Sequence, residues 1–102
     1  MDMGLKGKVA AITGGSEGIG KATALLLAAE GARVAICARR KDVLEAAAEE
    51  IRQDTQGEVL AVSCDVTQPG QVENFVQQAL GRWGGIDILV NNVGTSFAQS
   101  FE

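Results

Sequence analysis

Glycines, arginines, an aspartate and a pair of asparagines are the residues whose types and spacing could do chemistry. Gly14, Gly18 and Gly20 follow a Gly-x-x-x-Gly-x-Gly pattern, between the apolar run of residues 8–13 (KVAAIT) and a helical pattern. A helix start carries free N–H groups and the positive end of the helix dipole, so it attracts an anion such as a pyrophosphate. Residues without a Cβ let the backbone approach that anion closely. Ser16 adds a hydroxyl donor. Alone, three glycines at a strand–helix turn also suit plain punctuation of the chain, because the commoner anion loop reads Gly-x-Gly-x-x-Gly.

The second group of residues tests the first. In dinucleotide-binding folds, a carboxylate about 20 positions beyond the loop holds the ribose 2′-hydroxyl of NAD. That place here holds Ala38, Arg39, Arg40 and Lys41. Guanidinium groups suit a 2′-phosphate through charge-assisted, bidentate bonds, so the residues argue for NADP over NAD. A solvated basic helix start is the plainer alternative, but positive charge there opposes the helix dipole.

These residues need a frame. Residues 8–13, 33–38, 58–64 and 86–91 are short apolar runs that read as buried strands. Between them lie three helical patterns. The first spans 18–30, with Ala22, Leu25, Leu26 and Ala29 on one face and Gly31 as its stop. The second runs from Asp42 to about Thr55, with Asp42 and Glu45 spaced as a capping box and Leu44, Ala47, Ala48 and Ile51 as its apolar stripe. The third is capped by Thr67, carries Pro69 early and ends near Trp83 before Gly84 and Gly85. Its core face is Val72, Phe75, Val76, Ala79, Leu80 and Trp83. Strands alternating with helices build a parallel sheet covered on both faces.

Composition excludes several classes. The chain has 102 residues, no histidine and no tyrosine, so neither an imidazole nor a phenol can act as general acid or base from it. Two cysteines, Cys37 and Cys64, without histidine make a transition-metal site hard to assemble, although a carboxylate-only site stays formally open. The bland reading of the cysteines is two buried, reduced thiols in a cytoplasmic protein. Nine Lys+Arg against thirteen Asp+Glu give a net charge of −4, which disfavours nucleic acid as a partner. The longest mainly apolar stretch, residues 22–29, is too short to span a membrane. Aromatics are only 4%, so the core is expected to be largely aliphatic.

The segment Thr13-Gly14-Gly15-Ser16-Glu17-Gly18-Ile19-Gly20 resembles the TGxxxGIG loop of the short-chain dehydrogenase/reductase family. Cys64-Asp65-Val66-Thr67 and Asn91-Asn92-Val93-Gly94 are similar to two later family segments, the second differing by Val93 in place of alanine. The resemblance implies a Rossmann-type, doubly wound α/β fold with strand order 3-2-1-4, as one incomplete domain over 1–102 ending after the fourth strand. It implies that Gly14, Ser16, Glu17, Gly18, Ile19 and Gly20 bind the cofactor, with Arg39 and Arg40 at its ribose. It adds Asp65 and Val66 near the adenine, and Asn92, Val93 and Gly94 along the adenosine ribose. Glu17 departs from the family pattern: it sits where many NADP-preferring members carry Lys or Arg, and its carboxylate would repel a 2′-phosphate unless it points away or pairs with Arg39.

The family's hydride transfer between nicotinamide and a carbonyl or alcohol carbon uses a Ser, a Tyr-x-x-x-Lys and a further Asn. The tyrosine is absent here, so no catalytic residue and no metal ligand is assigned, and the chain alone is expected to be inactive. The expected partners are the dinucleotide and a small carbonyl or alcohol substrate of the parent protein. An apolar fourth strand left at the sheet edge would favour a homo-oligomer or swapped dimer. A non-catalytic interaction module using that edge is the rival reading, and a flavodoxin-like domain is a weaker third.

Overall fold

Five consecutive buried residues, Val9–Thr13, make the first strand, β1. Only a strand covered on both faces requires a side chain buried at every position rather than at alternate ones. In the computed structural model, which describes residues 4–14 and 16–91, β1 accordingly lies inside the sheet. Its neighbours are β2 (Arg33–Ala38), β3 (Val59–Ser63) and β4 (Ile88–Asn91), in the order β3-β2-β1-β4. All three pairings are parallel. The expected doubly wound order is therefore present.

Register puts the strand ends together. Thr13 lies opposite Cys37 on one side and Asn91 on the other, and Ala38 lies opposite Ser63. The loops that leave β1, β2 and β3 thus emerge along one edge.

Helices α1 (Gly18–Ala29) and α2 (Lys41–Thr55) cover one face of the sheet, where Ile12, Val34 and Ile36 meet Ala24, Ala28, Leu44, Ala48 and Ile51. Helix α3 (Pro69–Trp83) covers the other, setting Phe75 and Ala79 against Ala11, Ala35, Cys37, Val62 and Cys64. The core face read for α3 holds in outline: Phe75 and Ala79 are buried, and Val72, Val76, Leu80 and Trp83 are half-buried. Gly84 closes α3 in the left-handed region at φ 82°, where a Cβ would be strained.

Three local expectations need correction. Helix α1 does not bury the predicted face: Ala22 and Ala29 are exposed and Leu26 is 59% exposed, while Gly20, Ala24 and Ala28 are buried. The helix is apolar almost all round, so periodicity cannot choose a face. Close approach chooses it, because small residues at i, i+4 and i+8 let the helix backbone come near the sheet. Asp42 does not cap α2. The helix starts one residue earlier, its N-cap is Arg40, and Asp42 instead lies 3.6 Å from the Arg40 guanidinium. Thr67 does not cap α3 either; the N-cap is Gln68, and Thr67 is engaged with Asp65.

The edge strand is fixed at its start by Asp87. Its Oδ2 accepts the Val9 N–H at 2.9 Å, and its own N–H donates to the Val9 carbonyl at 2.8 Å. Asp87→Ala removes the first bond and leaves the second. It is expected to cost about 1 kcal/mol, read as a lower urea midpoint at unchanged slope.

Candidate functional site

The three loops at the strand ends enclose a cleft of about 400 Å³. The first wall comes from the turn after β1. Gly14 takes φ 70°, a left-handed conformation that a side chain would resist, and its N–H donates to the Cys37 carbonyl at 2.9 Å. The chain then runs through Ser16 and Glu17 into α1. Glu17 is the N-cap residue, but its side chain makes no capping bond. Helix starts leave their first N–H groups without intrahelical acceptors, and here the usual side-chain acceptor does not supply one.

The second wall is Ala38, Arg39, Arg40 and Val43, at the end of β2 and the start of α2. Both arginines are exposed. Arg40 has Asp42 as a nearby counter-charge, whereas no ion pair joins Arg39 to Glu17 among the described residues. Glu17 therefore stays an exposed carboxylate on the same cleft as two guanidinium groups.

The third wall is Cys64, Asp65, Val66 and Thr67 after β3. Asp65 Oδ1 accepts two hydrogen bonds from Thr67, from the hydroxyl at 2.7 Å and the N–H at 3.0 Å. Those bonds, assisted by the charge of Arg39, hold its carboxyl below the usual range. It is an acceptor at neutral pH.

Of the residues singled out from sequence, Gly14, Ser16, Glu17, Arg39, Arg40, Asp65 and Val66 share this cleft. Gly18, at φ 58°, lines an adjoining hollow between α1 and α2, next to the Lys21–Glu50 ion pair. Ile19 is 76% exposed and lines neither space, and Gly20 is buried on the core side of α1. Asn92, Val93 and Gly94 lie outside the described residues. Asn91, just before them, accepts a 2.9 Å hydrogen bond on Oδ1 from the Thr13 hydroxyl, joining the ends of β4 and β1.

Five lining residues are not among those assigned to the site from sequence: Cys37 and Val43, and Ala38, Cys64 and Thr67, which lie in the segments singled out there but carry no assigned role. Position was the available signal, since ligands of open α/β sheets sit beyond the carboxyl ends of the strands. The sequence marks the cysteines only as buried thiols, and both are free and buried. They also form part of the cleft's lining.

Burial, then the neighbouring Cys64, pushes the Cys37 thiol up from its ordinary 9.0 to about 12, and burial raises Cys64 as well. A thiol whose pKa is higher folded than unfolded contributes stability that is complete below the unfolded value and lost as pH rises through the folded one. The urea midpoint should therefore fall between about pH 9 and 12, and Cys37→Ala should flatten that decline. At neutral pH an aromatic disulfide reagent should find neither thiol until urea unfolds the chain.

A family model described as short chain dehydrogenase matches residues 8–102. The chain is 41% identical over 96 residues to an 11-beta-hydroxysteroid dehydrogenase-like protein of Arabidopsis thaliana, a match that covers 94% of this chain and 31% of that one. It therefore spans about a third of the length of such relatives. Among solved structures, L-sorbose reductase of Gluconobacter frateurii, complexed with NADPH and L-sorbose, superposes with a TM-score of 0.89 at 47% identity. That match covers 92% of this chain and 36% of the other. An alcohol dehydrogenase of Thermococcus sibiricus, complexed with 5-hydroxy-NADP, gives a TM-score of 0.76 at 43% identity, covering 80% and 35%.

Proposed function

The chain belongs to the short chain dehydrogenase family, and from that premise we propose that it forms the adenosine-binding part of a nicotinamide dinucleotide site that prefers NADP to NAD. One observation carries the reading: three loops in register enclose one cleft with its polar groups segregated by wall. The uncapped start of α1 and the left-handed Gly14 suit a pyrophosphate. Arg39 and Arg40 suit a 2′-phosphate, and the acceptor Asp65 beside Val66 suits an adenine edge. Ala38 and Val43 offer apolar surface to an aromatic base. The NADPH-bound L-sorbose reductase supports the choice of cofactor.

When bound, the cofactor supplies or accepts a hydride at its nicotinamide. The residues described here bind and orient its other end. Gly14 lets the backbone come close, Ser16 offers a hydroxyl donor, and the guanidinium groups neutralise phosphate charge. Glu17 opposes that charge in part, so the NADP preference is set by arginines working against one nearby carboxylate. The 102 residues contain no tyrosine. In this reading they bind the cofactor, and the proton is transferred by other residues of the whole protein. The whole protein, in this reading, reduces a carbonyl or oxidises a secondary alcohol of a small molecule. A cytoplasmic setting belongs to the same proposal and is supported by the two free thiols.

Thermal unfolding with added cofactor tests the reading. At a hundredfold excess of NADPH over its dissociation constant, linkage adds about 2.7 kcal/mol. For a domain of this size that is a rise of roughly 10–20 °C. NADH at the same concentration should give a smaller rise. Equal shifts would remove the NADP preference, and no shift with either dinucleotide would remove the site.

A further inference from the structure

Asp65 is held at its backbone N–H, its backbone carbonyl and one carboxylate oxygen. Its N–H donates to Gln71 Oε1 at 2.7 Å, and its carbonyl accepts the Gln68 N–H at 2.9 Å. Its Oδ1 takes both bonds from Thr67. Gln71 is the third residue of α3 and reaches back six positions to do this. The backbone and one carboxylate oxygen of Asp65 are therefore committed, while Oδ2 takes no hydrogen bond from the described residues. Both clamping side chains are exposed, so burial of apolar surface does not account for their placement.

An ionised carboxylate is an acceptor and nothing else. At the edge of a purine it matches the exocyclic amine of adenine. It opposes the carbonyl oxygen that hypoxanthine carries at the same place, acceptor against acceptor. Such a site discriminates only if the carboxylate cannot swing away, because a polar group free to turn back to water loses little when the partner is wrong.

We propose that Gln71 and Thr67 are positioning residues that lock the Asp65 carboxylate as an acceptor for the adenine amine, making the cleft selective for the purine as well as for the phosphate. This rests on the dinucleotide reading above and adds what sets its base selectivity. Gln71 is not among the residues that line the cleft, Thr67 stands on its third wall, and in this scheme both act through Asp65.

The test titrates the 102-residue chain by calorimetry with NADPH and with its hypoxanthine analogue. The unaltered chain should bind the analogue about 10-fold more weakly or worse, the scale of one hydrogen bond to a charged group. Gln71→Met and Thr67→Val should each narrow that ratio to within about threefold, mainly by weakening NADPH. Gln71→Glu keeps an oxygen acceptor for the Asp65 N–H and should restore the ratio. Melting temperatures of the ligand-free variants separate this from loss of fold, since a merely structural role would lower them and weaken both ligands alike.

Equal binding of both ligands by the unaltered chain would overturn the inference and leave the dinucleotide site standing. A ratio unchanged in both variants would overturn the positioning role alone. Failure of the folded chain to bind either ligand would overturn the site itself, and this inference with it.

Discussion

Arg39→Ala is expected to weaken NADPH about 10- to 100-fold and to leave NADH within about twofold. The asymmetry is the point of the experiment. A guanidinium on a 2′-phosphate makes charge-assisted bonds worth about 1.5–3 kcal/mol, and NADH has no such phosphate to lose. Arg39 is the better choice of the two arginines because Arg40 already has Asp42 at 3.6 Å. Arg40→Ala should accordingly cost several-fold less than Arg39→Ala. Glu17→Gln should act in the opposite direction, tightening NADPH, because it removes a negative charge from the same cleft. Raising the salt concentration should shrink all three effects, since the groups are exposed and screened. Calorimetric titration of each variant with both dinucleotides checks the set. An Arg39→Ala chain that lost NADPH and NADH equally would move Arg39 from the 2′-phosphate to a general electrostatic role.

Phe75→Ala should be the most damaging single change to the fold, at about 3–5 kcal/mol. Phe75 is fully buried and is the largest such side chain among the described residues. It projects from α3 onto a sheet face made of small residues, Ala11, Ala35 and Cys37, flanked by Val62 and Cys64. Those side chains cannot expand into the space that a deleted ring would leave, so most of the cavity would persist. A domain of this size has only about 5–15 kcal/mol of stability in total. Urea unfolding should show a large fall in midpoint, and Phe75→Leu should recover much of it. Because Cys37 and Cys64 both pack against Phe75 and line the cleft, the Ala variant should also weaken dinucleotide binding. A fall of less than about 1 kcal/mol would mean that α3 collapses onto the sheet more freely than its packing suggests.

The fold was legible where local pattern and tertiary role agree. The continuous apolar runs of β1 and β2 read as buried strands because a strand covered on both faces has no polar side to show. The stripe of Leu44, Ala47, Ala48 and Ile51 on α2 read correctly because its other faces are charged. Helix α1 was misread for the opposite reason. With apolar residues on nearly every face, Leu26 and Ala24 look equivalent in sequence, and only the packing, which buries Ala24 and leaves Leu26 59% exposed, tells them apart. The caps were misread because Thr67 and Asp42 have capping chemistry but found other partners, Asp65 and Arg40.

The element order, the anion-suited turn at Gly14, the basic segment at Arg39 and Arg40, and the absence of a tyrosine can all be read along the chain. Each of these is a statement about residues near one another along the chain, where dihedral preference, period and charge act directly. That Ser16, Arg39 and Asp65 share one cleft, that two cysteines line it, and that Gln71 and Thr67 bond to Asp65 emerge only from the folded arrangement. Those facts depend on parallel register, which aligns the ends of β1, β2 and β3 from segments some 25 residues apart. Register is set by side chains meeting across strands and under helices, and no local preference encodes that meeting.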